Sequence, residues 1–278
     1  MRATGASSPI ALTQASVAER PNRAPACSVR KRQMLEAFID RLTCRSFLSD
    51  RERELILDLP FRVRQVRANQ TCGASAARAD HVTYVMYGMI GRFGQNSRGE
   101  TQITALHIEG DMADLHSVVQ PTATSALMAL STSTIMEVPH ASLRHVSGAN
   151  PAIAEAFWRD CMVDSMVLAQ WVVNVGRRDA RSGIAHLLCE MACRYKAARV
   201  DGTVQFRLPM TQYHLADATG LATVHVSRTL KGLAAIGTTF KHKWVRIEDW
   251  DALVAAADFD RSYLQEDLAP EGRIRLVQ

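Results

Sequence analysis

Residues 211–233 constrain the fold of this chain more than any other stretch, and they read TQYHLADATGLATVHVSRTLKGL. Thr211 is a good N-cap for a short first helix, Gly220 allows the positive φ of a sharp corner, and a second helix begins near Thr223. The second helix has a buried apolar stripe at Val226, Leu230 and Leu233. The pattern predicts a helix-turn-helix, although an ordinary helical hairpin can mimic this spacing.

The second helix presents a polar and basic face, and a basic hairpin follows it. The outward residues are Thr223, Val224, Ser227, Arg228 and Lys231. Lys241, His242 and Lys243 then precede an alternating strand at Trp244–Ile247, which predicts a wing. This arrangement favours binding of double-stranded DNA through the major groove. The alternative is a helix-turn-helix that binds protein, but protein interfaces are depleted in lysine.

The first half of the chain has a different periodicity. Apolar positions at helical spacing between residues 35 and 42, and a helix start after Ser49, come first. Strand-like patterns follow at Val82 to Ile90, Thr101 to Ile108 and Ala126 to Val138, separated by turns rich in Gly and Asp. Short strands at close intervals predict an antiparallel roll or barrel, and therefore an α+β protein.

A long helix is expected after Asn150-Pro151, because no Gly or Pro interrupts the sequence up to Val175. Its apolar stripe comprises Ile153, Phe157, Cys161, Leu168, Trp171 and Val175. One interpretation is that the stripe packs against the same helix of a second chain to form a homodimer. The other is that it packs only on the strand domain.

These patterns divide the 278 residues into two folded units with flanking segments. The predicted divisions are a flexible tail at 1–32, a sensor roll at 33–150, the long helix at 151–178, the winged helix-turn-helix at 179–258 and a C-terminal tail at 259–278. The tail ends in the basic run 30–32, and a transit peptide has a similar composition. The six cysteines form no CxxC pair and no apolar stretch is long enough to span a bilayer, so we expect a cytoplasmic protein that is not in the membrane.

Four stretches of the sequence resemble the Crp/Fnr superfamily of bacterial transcription regulators. The stretch LPMTQYHLADATGLATVHVSRTLKGL is similar to its DNA-binding signature, with Thr211 and Gln212 opening the first helix and the pair Ser227-Arg228 in the second. The stretches YVMYGMIGRF and GETQITALHIEGDMADL resemble the family's sensor roll, and FDRSYL near the C-terminus resembles a subgroup without a defined ligand.

The resemblance implies a cyclic-nucleotide-binding-like β-roll (a double-stranded β-helix), a dimerisation helix and a winged helix-turn-helix. A homodimer would place two recognition helices about 34 Å apart on an inverted repeat, with RNA polymerase as a further partner. Arg228 would read guanine, Thr211 and Gln212 would hold phosphate, and the backbone contacts would come from Ser227, Lys231, Lys241 and Lys243. Val224 departs from the family, which often has Glu at this position, so the half-site cannot be carried over.

No effector or cofactor is assigned by the sequence. The segment 114–130, where the family's cyclic-nucleotide sensors carry an Arg for the phosphate, has none, so we expect no control by cyclic AMP. Cys27, Cys44 and Cys72 are too scattered for the family's iron-sulfur cluster. Cys189 and Cys193 share a helix face, which favours core packing over metal ligation.

The histidines of the first half support an alternative function. They are His81, His107, His116, His140 and His145. A metal- or haem-dependent sensor, or a cupin-like enzyme, would use such residues, but no closely spaced His-x-His pair is present. We therefore expect a regulator and not an enzyme.

Overall fold

The computed structural model describes residues 35–73, 79–122 and 125–266. The predicted tail at 1–32 and the last part of the predicted C-terminal tail, residues 267–278, lie outside these ranges. None of the described helices is both long and apolar enough to cross a membrane.

Two helices precede the strands. Helix α1 covers residues 35–43 and α2 covers Asp50–Leu57. The start after Ser49 is confirmed: the Ser49 hydroxyl accepts from the Glu52 backbone N–H, and the Glu52 carboxylate accepts from that of Ser49. The apolar side of α1 is buried through Leu35, Phe38, Ile39 and Leu42.

The strands form two three-stranded antiparallel sheets. Their bounds are β1 Arg62–Val66, β2 His81–Tyr87, β3 Ile90–Gln95, β4 Thr101–His107, β5 Ala126–Ala129 and β6 Ser133–Pro139. One sheet has the order β1-β6-β2 and the other β4-β3-β5, with a short 3-10 turn at Leu115–Val118 before β5. Val85 and Ile135 of the first sheet share a buried cluster with Ile90 and Leu127 of the second. The predicted antiparallel roll is confirmed, and its two sheets are not closed into a barrel.

Two helices follow the strands of the roll, and the second begins at the predicted position. Helix α3 covers His140–Ala149 and α4 covers Pro151–Gly176, with Pro151 in the first turn, where its missing N–H has no helical partner to lose. The 26 residues of α4 span about 39 Å at the helical rise per residue. Helix α4 therefore extends from the roll to the C-terminal unit.

The C-terminal unit combines helices with a small sheet. It comprises α5 Ala180–Arg194, β7 Arg199–Val200, β8 Thr203–Arg207, α6 Gln212–Thr219, α7 Thr223–Ala234, β9 Thr238–Lys241, β10 Trp244–Ile247 and α8 Trp250–Ala257. The antiparallel sheet has the order β7-β8-β10-β9. Its core includes Leu188, Leu215, Val226, Leu233 and Val245. A 3-10 turn at Arg261–Leu264 packs on α4 and α5, so the described part of the C-terminal segment is held in place, with Leu264 buried.

Candidate DNA-binding interface

The first helix of the helix-turn-helix begins with a reciprocal cap. The Thr211 hydroxyl accepts from the backbone N–H of His214 at 3.2 Å, and His214 Nδ1 accepts from the backbone N–H of Thr211 at 3.3 Å. Burial, and secondly the charge of Lys243, lower the pKa of His214. The backbone N–H of Leu208 donates to the carbonyl of Lys243 at 2.9 Å, so the wing lies beside the start of α6, where Gln212 is exposed. Thr211 is half-buried, with its hydroxyl already engaged as the cap.

The corner between α6 and α7 depends on Gly220. Its φ is 67°, in the left-handed region, and its N–H donates to the carbonyl of Ala216. A Cβ atom at this position would lie 3.3 Å from Cγ1 of Val175 on α4. Both the backbone conformation and the close packing favour glycine here.

The second helix, α7, separates an inner from an outer face as the sequence predicts. Val226, Leu230 and Leu233 are buried. Val224, Arg228 and Lys231 are exposed, while Thr223 and Ser227 are half-buried beside them. Within the described ranges, neither Arg228 nor Lys231 has an ion-pair partner. The guanidinium at the middle of this face is free to meet an external acceptor.

The wing is a tight hairpin with cations at its tip. Lys241 pairs directly with Trp244, which leaves His242 and Lys243 as a two-residue turn. Their φ angles are 51° and 66°, the left-handed conformation for which Asn and Gly are usual. Lys241, His242 and Lys243 are all exposed. The chain thus keeps basic side chains at a position where they strain the backbone.

The apolar stripe predicted on α4 is divided between two environments. Ile153, Phe157 and Trp171 are buried inside their own chain, and Cys161 is half-buried. The prediction that these residues face a second chain needs correction, because α4 is apolar on more than one side. Leu168 and Val175 are exposed, and four exposed apolar residues that the stripe omitted accompany them: Trp158, Met162, Val172 and Val173. The spacing of 158, 162, 168, 172 and 175 is the signal that could have identified this face.

A small cavity lies within the described part of the roll. A cavity of about 30 Å³ lies between β3 and the 3-10 turn, lined among others by Arg92, Asp114 and Ser117. This volume is enough to hold ordered water. Arg92, which comes from β3 and not from segment 114–130, donates to the backbone carbonyl of Ala113.

Two histidines of the roll have polar partners of another residue type. His81 contacts Asp80 at 2.6 Å, and His140 contacts the Ser117 hydroxyl at 2.8 Å. Burial, and secondly the charge of Arg92, hold the pKa of His107 well below its usual value. In the part of the chain that the structure describes, no three His, Cys, Asp or Glu side chains are grouped as a metal site.

The properties of Cys189 and Cys193 fit packing in the core. Cys189 is buried and Cys193 is half-buried. Burial raises the pKa of both thiols, that of Cys193 to about 11. A thiol that stays protonated is a weak metal ligand and a weak nucleophile.

Comparison with known proteins identifies a domain match and several similar regulators. Residues 184–256 match the Crp-like helix-turn-helix domain. The fumarate and nitrate reduction regulatory protein of Shigella dysenteriae is 24% identical over 228 residues, which are 82% of this chain and 91% of that protein. The anaerobic regulatory protein of Haemophilus influenzae is 22% identical over 220 residues, 79% of this chain and 85% of that protein.

Solved structures share the fold. FixK2 from Bradyrhizobium japonicum has a TM-score of 0.62 at 23% identity and covers 71% of this chain and 98% of its own. A transcriptional regulator of the CRP/FNR family from Thermus thermophilus has a TM-score of 0.55 at 14% identity, over 71% and 99% of the two chains. The domain match, the similar regulators and the shared fold all agree with the resemblance that the sequence motifs indicated. The chain therefore has a Crp-like helix-turn-helix domain at residues 184–256, behind a cyclic-nucleotide-binding-like roll, and it is similar in sequence and fold to transcription regulators of the Crp/Fnr superfamily.

Proposed function

We propose that the protein acts as a homodimer on an inverted-repeat operator, with α7 of each chain in the major groove. The observation that carries the proposal is the outer face of α7, where Arg228 is exposed and unpaired among the described residues while the opposite face is buried. A guanidinium in this position can bond bidentately to guanine O6 and N7. Its target being DNA, the regulator is assigned to the cytoplasm.

Individual contacts follow from the position of each side chain. Arg228 is the proposed base reader, with Val224, 66% exposed, next to it on the face and suited to a thymine methyl group. Gln212, Lys231, Lys241 and Lys243 are the proposed phosphate contacts. The residues Thr211, Thr223 and Ser227 are half-buried. They therefore contact the sugar-phosphate backbone of the DNA only where the DNA approaches the protein closely.

The proposed dimer interface is the exposed face of α4. It consists of Trp158, Met162, Leu168, Val172 and Val175, all at least 42% exposed in the single chain. This apolar face runs along most of the helix, and burying it against the same face of a second copy removes it from water. The interface therefore retains Leu168 and Val175 from the predicted stripe and replaces the residues that are covered within the chain.

The proposed units follow the predicted divisions, with a roll over 33–150, the dimer helix over 151–178 and the DNA-binding unit over 179–258. We infer that cyclic AMP does not control the roll. Two observations support this inference: segment 114–130 has no Arg, and Arg92, the cation beside the small cavity, already donates to the backbone carbonyl of Ala113. A buried phosphate without a free cation is poorly stabilised. The matched relatives are named as regulatory proteins, which supports a protein without catalytic activity, and RNA polymerase is its proposed further partner.

The test is selection of bound sequences from random duplex DNA by the purified protein, followed by titration of the selected sequence against salt. We expect an inverted repeat with half-sites about one helical turn apart, and affinity that falls steeply with salt. Enrichment of a single half-site would contradict the dimer. No enrichment, with or without added cell extract, would contradict sequence-specific binding.

A further inference from the structure

One arginine joins the DNA-binding unit to the roll. Arg194 is the last residue of α5, and its Nη2 donates to Oδ2 of Asp111 and to the carbonyl of Leu106, each at 2.7 Å. Its Nη1 donates to Oε1 of Glu190, one turn earlier in α5, at 3.2 Å. The side chains of Arg194, Asp111 and Glu190 are only 12%, 5% and 0% exposed. A single buried guanidinium therefore holds α5 against the turn after β4.

The network continues from Asp111 to the rest of the chain. Arg41 of α1 donates to Asp111 and also to both carboxylate oxygens of Asp160 on α4, at 2.8 and 2.7 Å. Arg45 donates to Asp160 at 2.8 Å and to the carbonyl of Leu264 at 2.9 Å. The roll, α1, α4, α5 and the C-terminal 3-10 turn thus share one set of buried charge-assisted hydrogen bonds.

A second contact holds the other side of the DNA-binding unit. Nε2 of Gln102 on β4 donates to the carbonyl of Ala218 in α6 at 3.2 Å. Gly220 packs on Val175 close by. Because α7 packs on both α5 and α6, contacts at these two helices determine how α7 is oriented relative to the roll.

We propose that Arg194 and Asp111 are positioning residues, which fix the recognition helix α7 relative to the roll and to α4. The inference rests on the proposed dimer and its inverted repeat. Buried ion pairs add little net stability compared with apolar packing, but bonds made by a planar guanidinium are strongly directional. The network therefore contributes mainly to the orientation of α7 relative to the roll and α4, and little to the free energy of unfolding.

The orientation has a consequence for binding to two half-sites. Once one chain of a dimer has bound, the second binding step is intramolecular, and its effective concentration depends on how closely the second α7 is held to the required position. A wider range of orientations lowers this concentration. It leaves binding to an isolated half-site unchanged, because that step involves one α7 only.

The test variant is Arg194→Gln, chosen because both carboxylates that Arg194 contacts keep other donors. Glu190 keeps the donors Trp171 and Tyr263, and Asp111 keeps Arg41 and the backbone N–H of Ile108. The control is Arg64→Gln, which breaks the 2.7 Å pair between Arg64 and Glu137 inside the roll. Arg194→Lys, which keeps the charge but loses the planar fork, is measured beside them.

The direct measurement needs no DNA. Spin labels are introduced as non-natural residues at two exposed positions, Arg98 in the roll and Ala255 in α8, and labelled chains are diluted with unlabelled protein. Pulsed dipolar spectroscopy should give one narrow distance distribution for the parent protein and for Arg64→Gln. It should give a broad one for Arg194→Gln and an intermediate width for Arg194→Lys. If Arg194→Gln does not fold, the Lys variant decides, and an unchanged width in the folded variant overturns the proposal.

The functional measurement compares affinity for the selected inverted repeat with affinity for one isolated half-site. We expect Arg194→Gln to lower the ratio of the two affinities about tenfold, with the half-site affinity unchanged. A ratio equal to that of the parent protein contradicts the positioning role. A parent protein without any preference for the full repeat contradicts the proposed dimeric binding instead, and the distance distributions then decide the positioning role alone.

Discussion

Trp171 on α4 donates its indole N–H to Oε2 of Glu190 on α5 over 3.0 Å, and both side chains are buried. The hydroxyl of Tyr263 donates to the same carboxylate oxygen, also at 3.0 Å. Burial raises the pKa of Glu190, and the opposing influence of Arg194 is the largest of those that lower it. The end of the long helix, the DNA-binding unit and the C-terminal segment therefore meet at one carboxylate.

Trp171→Phe is expected to lower the free energy of unfolding by about 1.5 kcal/mol, because a hydrogen bond to a charged group is lost while most of the ring packing is kept. Urea denaturation followed by circular dichroism measures the change. Tyr213→Phe, at a site where the side chain is 72% exposed, is the control and should leave stability unchanged. A Trp171→Phe protein as stable as its parent would show that this hydrogen bond does not stabilise the fold.

Protonation of His186 should destabilise the protein in acid. The ring is buried between Phe259 and Tyr263, and desolvation, followed by the charge of Arg178, lowers its pKa to about 4. The folded state therefore binds a proton less readily than the unfolded chain does. The contribution of the neutral His186 ring to the free energy of unfolding is fully present above about pH 6.5 and is lost as the pH falls towards 4. The total loss is at most about 3 kcal/mol.

The measurement is the unfolding free energy as a function of pH for the parent protein and for His186→Phe, whose ring can occupy the same stack. The slope between pH 6.5 and 4 should be smaller in the variant. Parallel curves over this interval would exclude His186 as the titrating group.

Substitution of the two residues of the wing turn should raise the stability of the protein and lower its affinity for DNA. Replacing His242 and Lys243 together by Asn and Gly supplies the residues preferred for two successive positive φ angles, so we expect a gain of about 1 kcal/mol in unfolding free energy. DNA affinity should fall, and less steeply with salt, because a phosphate contact is lost. Thermal melting and binding titrations test the two effects separately, and unchanged affinity would remove the turn from the DNA interface.

A charge placed on the exposed face of α4 should disrupt the dimer. Val172 is 64% exposed in the single chain, and Val172→Glu would bury a carboxylate without a partner in the proposed interface. Sedimentation should then show monomers at concentrations where the parent protein is dimeric. Val119→Glu, on an 84% exposed valine of the roll, should leave the dimer intact. A dimeric Val172→Glu protein would place the interface elsewhere.

Local signals made the helix-turn-helix and its wing predictable. The cap at Thr211, the glycine corner at 220 and the apolar spacing of α7 each act within a few residues, and the structure contains all three. Helix α8 has a comparable signal that the prediction missed: Asp249 caps it by accepting from the backbone N–H of Ala252. The sequence of α8 is short and rich in alanine, so it shows no clear hydrophobic periodicity.

Long-range relationships were not predictable in the same way. Arg194 and Asp111 are 83 positions apart, and no local pattern indicates that they pair. On α4, periodicity indicated that the helix is apolar but not which side the roll and α5 would cover. Ile153 and Trp171 therefore appeared equivalent to Leu168, although only Leu168 remains exposed.

The most direct test of the account compares Arg228→Ala with Lys243→Ala on the selected operator and on operators changed at single base pairs. Arg228→Ala should lose about 1 to 3 kcal/mol on the operator and should no longer distinguish the base pair that Arg228 reads, whereas Lys243→Ala should weaken binding to all sequences alike. Equal and uniform losses for the two variants would contradict the assignment of α7 as the helix that reads the DNA sequence.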